Sequence, residues 1–215
     1  MRISEIFRSI QGEGHFIGFP TIFIRLSGCN LKCRMNTTKF VCDTEYHIKG
    51  KDMSILEILS EVEKLTESGK VKNICITGGN PSIQKEVNGL IKTLIIHKYK
   101  VYIEDNGSIK FPEQYENCIV ICSPKYYFNL KKWMFNTKNK PNYFKFVYTS
   151  KLHEHILKFI EKHHIPRKKI SIMVEGVARD EVIENSRNTI LFCYQHNFRF
   201  SPREHIMIWN RERGV

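Results

Sequence analysis

Short β-rich runs alternate with longer amphipathic ones from Thr21 onward, which predicts an α/β fold of parallel strands joined by helical crossovers. Polar or glycine-bearing segments repeatedly follow the candidate strands, as they do where a parallel sheet presents its ligand-binding edge. About six strands before the C-terminal tail are too few to close an eight-stranded barrel. The expected architecture is therefore an incomplete (β/α)6-type partial TIM barrel or an open sheet.

The elements follow in order. Residues 1–11 mix charges with isolated apolar side chains and are assigned no strand. Residues 21–26 (TIFIRL) read as a buried strand. Residues 54–67 read as the first helix, because Ser54 and Glu57 form a capping box and Ile55, Ile58, Leu59, Val62 and Leu65 recur on one face. Strands are then expected at 73–77, 100–104, 118–122, 143–148 and 169–174, each rich in β-branched or aromatic residues. Helices are expected at 83–97, 152–163 and 180–196, where longer amphipathic runs intervene. Residues 205–209 (HIMIW) alternate and read as a last strand. There is no internal repeat, and only 136–141 resembles a linker, so residues 1–215 are taken as one domain.

At 215 residues with 41% apolar content the chain can bury a substantial core without disulfide staples. No signal-peptide run and no membrane-spanning run is present, which predicts a cytoplasmic protein with no membrane partner. Seven cysteines without a secretion signal favour metal ligation or buried thiols over a disulfide framework. The net charge of +12 favours anionic partners. Its lysines and arginines cluster at 131–132, 138–140 and 167–169, which read as solvated faces, so direct nucleic-acid binding is disfavoured. An acidic electron-donor protein would also be drawn to such a surface.

Three cysteines follow the first strand closely: Cys29, Cys33 and Cys42. Three thiolates with no obvious fourth ligand can hold three irons of a 4Fe-4S cluster and leave the last iron open to a ligand. With His47 as a fourth ligand they could instead form a zinc site in a basic RNA-binding module, although the spacing matches no recognised finger. Cys75, Cys118, Cys122 and Cys193 lie in apolar segments and read as core thiols. Glycines after a strand, as at Gly78 and Gly79, let backbone groups approach a ligand closely. Arg25 suits a carboxylate, because a planar guanidinium binds one in a fork. Trp209 and Phe198 read as core.

These residues carry a family resemblance. The chain resembles radical S-adenosylmethionine (SAM) enzymes, and among them the 7-carboxy-7-deazaguanine synthases, lyases of queuosine and archaeosine precursor biosynthesis and hence of tRNA modification. The resemblance rests on FRSIQGEG at 7–14, FIRLSGCNL at 23–31, CDT at 42–44, TGG at 77–79, EDNG at 104–107, SPK at 123–125, SPREH at 201–205 and RGV at 213–215. A glycyl-radical activating enzyme would share the cysteines and the Gly-Gly turn, but it leaves the segments at 11–14 and 201–205 without a role.

The resemblance implies that Cys29, Cys33 and Cys42 bind a 4Fe-4S cluster whose open iron is chelated by SAM. In the family, reduced cluster cleaves SAM to a radical that takes a hydrogen from 6-carboxy-5,6,7,8-tetrahydropterin. The ring then contracts with loss of ammonia, and SAM is re-formed. Carried over residue by residue, SAM would meet Val41, Asp43, Gly79, Glu104, Asn106, Ser123, Pro124, Lys125, Met173, Val174, Glu175 and Gly176. The pterin would meet Ile10, Gln11, Gly12, Glu13, Arg25, Thr77, His205 and Val215, and Thr44 would ligate Mg²⁺, a hard cation that takes oxygen donors. A homodimer and a flavodoxin- or ferredoxin-type electron donor are the implied partners. Because the family's terminal carboxylate reaches the substrate pocket, a C-terminal tag is expected to depress turnover more than an N-terminal one.

The chain departs from the family pattern at three places. The superfamily spacing is C-x3-C-x2-C, whereas eight residues separate Cys33 from Cys42, which implies an enlarged cluster loop at 29–42. Asn80 stands where many relatives have glutamate, and Val174 where many have proline. Retained SAM binding with altered contacts is expected.

Overall fold

The computed structural model describes residues 1–33 and 50–215. Val41, Cys42, Asp43, Thr44 and His47 therefore lie outside the described residues. In chain order the elements are β1 (Arg2–Ile10), β2 (Pro20–Leu26), β3 (Lys51–Asp52), α1 (Ile55–Leu65), β4 (Asn73–Gly78), α2 (Val87–Ile96), β5 (Lys100–Asp105) and β6 (Ile119–Cys122). A small hairpin, β7 (Lys125–Tyr127) and β8 (Lys132–Met134), precedes β9 (Tyr143–Tyr148), α3 (His153–Lys162), β10 (Ile170–Val174), α4 (Arg179–His196), β11 (Arg199–Ser201) and α5 (Glu204–Trp209).

The main sheet runs β11-β10-β9-β6-β5-β4-β2-β1-β3. From β2 to β11 every neighbouring pair is parallel, and β1 joins β2 antiparallel. Each parallel strand lies beside the next in the chain, so successive crossovers wind in one direction. β3 and β11 end the sheet rather than pairing with each other. This is an incomplete barrel, as expected.

Alternation along the strands divides the sheet into two faces. Ile22 and Ile24 of β2, Ile74 and Ile76 of β4, and Ile103 of β5 pack beneath α1 and α2, against Ile58, Val62, Leu90 and Leu94. Phe144 and Phe146 of β9 pack with Ile172, with Phe159 of α3 and with Phe192 of α4. Each such side chain contributes roughly 1.5–3 kcal/mol on burial. The predicted capping box is present: Ser54 Oγ accepts the Glu57 N–H at 3.2 Å, and the Glu57 carboxylate accepts the Ser54 N–H at 2.7 Å.

Two expectations are corrected. Residues 1–11 contain β1, whose period is obscured by a register shift between Ile3 and Glu5. Because of that shift Ile3 and Ile6 both pack on the core, while Glu5 and Phe7 face the other way. Residues 205–209 are helical, not a strand. The Arg203 carbonyl accepts N–H groups from Ile206 and Met207, and the edge place in the sheet is taken by Arg199–Ser201. Ile206 is buried while Ile208 is 56% exposed, so the apparent alternation does not mark two faces of a strand.

Candidate active site

The face of the sheet away from the helices lines a cavity of about 500 Å³. The strands deliver alternate residues to it: Phe7 from β1, Phe23 and Arg25 from β2, Thr77 from β4, Glu104 from β5, Lys145 and Val147 from β9, and Met173 from β10. Strand-end turns add Cys29 and Cys33 after β2, Gly79 after β4, Asn106 after β5, Ser123 and Lys125 after β6, and Val174 and Glu175 at the end of β10. The loop after β1 supplies Gln11, Gly12 and Glu13, and the far wall is His205 with the tail through Val215. Ile10 also lines the cavity.

Close backbone packing sets two of these turns. Gly79 donates its N–H to the Leu26 carbonyl at 3.0 Å, and Asn80 donates to the Gly28 carbonyl at 2.8 Å. A Cβ on Gly79 would collide with the Gly28 carbonyl, so the glycine is what seats the cysteine-bearing segment against β4. Gly12 plays the same part on the opposite side, since a Cβ there would strike the His205 ring; the Glu204 N–H donates to the Gly12 carbonyl at 2.9 Å.

The floor carries a buried charge network. Lys145, 4% exposed, places Nζ 2.7 Å from Glu13 Oε1 and 3.1 Å from Glu104 Oε1. Arg203 Nε lies 3.3 Å from Glu13 Oε2, and an Arg203 terminal nitrogen donates to the Gly176 carbonyl. Thr77 Oγ1 donates to Glu104 Oε2 at 3.2 Å, and Gln11 Nε2 to Glu104 Oε1 at 3.5 Å. Burial alone would raise the Glu13 carboxyl, but the charges of Lys145, Arg203 and His205 reverse this and hold it well below the usual carboxylate range. For Lys145 burial opposes the charge, and Glu104 and Glu13 outweigh it, so the ammonium persists above the ordinary lysine range. Glu13 Oε2 is buried and accepts no hydrogen bond from the described residues; what it faces is Arg203 Nε, in the 3.3 Å ion pair.

Around this floor, Arg25 Nε pairs with Glu5 Oε1 at 2.6 Å, and its guanidinium carbon sits 5.7 Å from the Phe7 ring centre. Asp105 is 3% exposed, and burial pushes its carboxyl up despite hydrogen bonds from Gly107, Ser82 and Tyr115. Asp105 thereby ties the turns after β4 and β5 together.

The cysteine surroundings fit an iron–sulfur cluster as far as they are described. Cys29 and Cys33 both open on the cavity, and Cys29 Sγ accepts the Leu31 N–H at 3.4 Å and an Asn106 amide N–H at 3.9 Å. N–H donors directed at sulfur suit a metal-bound thiolate. Cys75, Cys118, Cys122 and Cys193 are instead buried, and burial raises each thiol, Cys118 to about 12. They are core thiols, as expected. Among the described residues no three His, Cys, Asp or Glu side chains come together as a metal site; the expected third cysteine, Cys42, lies outside them.

Most expected site residues that are described meet in this one cavity. Pro124 and Gly176 are not among the residues that line it, although the Gly176 carbonyl accepts from the lining residue Arg203. Asn80 is fully buried behind the Gly-Gly turn: its Oδ1 accepts the Asn106 N–H, and its Nδ2 donates to Ser82 Oγ.

The profile of the radical SAM superfamily matches residues 23–197. The chain belongs to the radical SAM superfamily. It is similar to the 7-carboxy-7-deazaguanine synthase of Hyperthermus butylicus, 29% identical over 97% of this chain and 92% of the relative. Its likeness to the synthase of the same name from Pyrobaculum aerophilum is 29% over 100% of this chain and 97% of that one. A shorter stretch, 50% of this chain and 44% of the relative, is 45% identical to the 7-carboxy-7-deazaguanine synthase of Koribacter versatilis. The crystal structure of QueE from Escherichia coli has a TM-score of 0.70 at 24% identity, covering 95% of this chain and 94% of that chain, and supports the fold.

Within this radical SAM barrel, sequence reasoning missed Lys145, Arg203, Glu5 and Phe7 as cavity residues. Lys145 had a visible signal, since it is a lone charge in the otherwise apolar strand YFKFVY. Arg203 lay inside a quoted motif without a role. Glu5 and Phe7 were hidden because β1 itself was not assigned.

Proposed function

We propose that this chain is a 7-carboxy-7-deazaguanine synthase, a carbon–nitrogen lyase acting on 6-carboxy-5,6,7,8-tetrahydropterin with a 4Fe-4S cluster, SAM and Mg²⁺. The single observation that carries this is the convergence, in one cavity, of Gln11, Gly12, Glu13, Arg25 and His205 opposite Cys29, Cys33 and Gly79. The near full-length similarity to synthases of that name supplies the substrate.

Cys29, Cys33 and Cys42 would hold the cluster, with Thr44 on Mg²⁺; bound there, cluster and SAM supply the radical chemistry. The protein's own residues bind, orient and shield. The Gly79 turn and Asn106 would carry the amino-acid end of SAM, and Met173, Val174 and Glu175 its adenine side, with Gly176 behind them. Ser123 and Lys125, whose Nζ donates to Ser123 Oγ at 2.6 Å, would face the nucleoside, with Pro124 fixing their turn.

On the substrate side, Arg25 is a cation for the pterin carboxylate, with its Nε held by Glu5. Glu13, which lines the cavity, would accept N–H groups of the pterin edge, with Thr77, His205 and Val215 completing the wall. Glu104 would meet SAM, with its carboxylate held by Lys145, Thr77 and Gln11.

Residues 1–215 would act as a single radical SAM domain with an enlarged cluster loop at 29–42. We also propose that the chain works as a cytoplasmic homodimer taking its electron from an acidic flavodoxin- or ferredoxin-type donor, for which the net charge of +12 is suited. Among the described residues no helix is long and apolar enough to cross a membrane. Anaerobic incubation with SAM, reductant, Mg²⁺ and the carboxytetrahydropterin should yield 7-carboxy-7-deazaguanine. Stoichiometric zinc in place of iron, with no product, would overturn the assignment in favour of a zinc-binding module.

A further inference from the structure

We propose that Lys145 is the positioning residue of the cavity: one buried ammonium fixes the Glu13 carboxylate on the pterin side and the Glu104 carboxylate on the SAM side. The inference rests on the function proposed above for the identity of the two ligands. Its geometric basis is independent of that identity.

The three groups come from three different parts of the chain, the loop after β1, the end of β5 and the middle of β9. Lys145 is flanked by Phe144 and Phe146, which face the core, while its own side chain reaches across the cavity floor to both carboxylates. Burying an ammonium costs several kcal/mol unless partners offset it, and a methionine would span the same gap without that cost. The charge is therefore best explained by what it holds. Each carboxylate gives one oxygen to Lys145. Its second oxygen is then oriented: Glu104 Oε2 accepts from Thr77 Oγ1, and Glu13 Oε2 faces Arg203 Nε at 3.3 Å. An ionised, fixed oxygen of that kind is suited to accept N–H donors from a bound ring.

The charged and titratable groups facing Glu13 are Lys145 on β9, Arg203 ahead of α5 and His205 on α5. Glu104 on β5, Arg25 on β2 and Cys75 on β4 complete the surroundings of the network. Lys145 is the group whose hydrogen bond and charge both act on Glu13. Removing it leaves Arg203, whose Nε lies 3.3 Å from Glu13 Oε2, as the nearest cation to that carboxylate.

The test uses anaerobic holoenzyme without reductant, so that binding is read in the absence of turnover. Equilibrium dissociation constants are measured for SAM and for the carboxytetrahydropterin at one neutral pH in wild type, K145M, K145R, E13Q and K145M/E13Q. K145M should weaken both ligands about tenfold or more. K145R should recover most of both losses. K145M/E13Q should bind pterin little worse than either single variant, because the two residues act as one unit.

A purely structural role predicts additive losses in the double variant and no rescue by K145R, and that result overturns the proposal. Unchanged SAM affinity in a folded K145M also overturns it. If wild type binds SAM but not the pterin, the assigned substrate is wrong, and the SAM measurements on K145M and K145R alone decide whether Lys145 positions Glu104.

Discussion

The carboxamide of Asn80 joins two strand-end turns, with its Oδ1 2.9 Å from the Asn106 backbone nitrogen and its Nδ2 2.8 Å from Ser82 Oγ. Asn106 in turn donates to Cys29 Sγ, so the chain Asn80–Asn106–Cys29 connects the turn after β4 to the cysteine segment. In place of a glutamate reaching a ligand, this chain has a short amide that locks the loops around it. Asn80→Ala leaves the buried Asn106 N–H without its acceptor and should cost roughly 1–3 kcal/mol in stability. Denaturant unfolding should show that loss, and SAM affinity should fall with it; wild-type values for both would show that the clamp is not needed.

Gly79→Ala should disturb the site more than the core. The added Cβ has no room against the Gly28 carbonyl, and the segment carrying Cys29 must move to admit it. We expect reduced iron incorporation and weaker SAM binding while far-ultraviolet circular dichroism stays near wild type. Full iron content in Gly79→Ala would show that the two strand ends need not be so close.

Cysteine substitutions should divide by position. Cys29→Ala and Cys33→Ala should lose the cluster absorbance and activity, whereas Cys118→Ala should keep both, because its thiol is buried and raised to about 12. Iron and sulfide analysis after anaerobic reconstitution reads the difference.

The Glu13–Lys145 pair sets a pH signature on folding. Glu13 is held below its ordinary value of 4.5, so the unfolded chain binds a proton there first, and this stabilisation is full above about pH 4.5 and declines as pH falls further. Lys145 is held above its ordinary value of 10.5, so its contribution is full below about pH 10.5 and declines as pH rises beyond it. Asp105 has the opposite sign: its raised carboxyl favours the folded state as pH falls. Thermal unfolding of wild type and Glu13→Gln across pH should place the two curves furthest apart between these limits and bring them together towards the acid end. A constant separation would contradict the sign.

The parallel strands β2, β4, β5, β6, β9 and β10 were legible because runs such as Ile22, Ile24, Ile74, Ile76, Ile103 and Ile172 are β-branched and buried, and α1 declared its start through Ser54 and Glu57, whereas the short β3, β7 and β8 carried no such run. β1 was not, because the shift between Ile3 and Glu5 breaks the period of two that marks a strand. HIMIW at 205–209 failed for the opposite reason: a short helix can carry an alternating pattern, and only tertiary packing on Ile206 decides between them. The site was legible through strand-end motifs and resemblance. Its electrostatic floor was not, since no local pattern shows that Glu13, Glu104 and Lys145 meet.

The most direct measurement is the amount of 7-carboxy-7-deazaguanine formed anaerobically from excess carboxytetrahydropterin with SAM below the substrate concentration. A synthase that re-forms SAM should yield more product than the SAM supplied, with ammonia released in equal amount. SAM cleavage without the deazaguanine would leave a radical SAM enzyme of another substrate and contradict the proposed function.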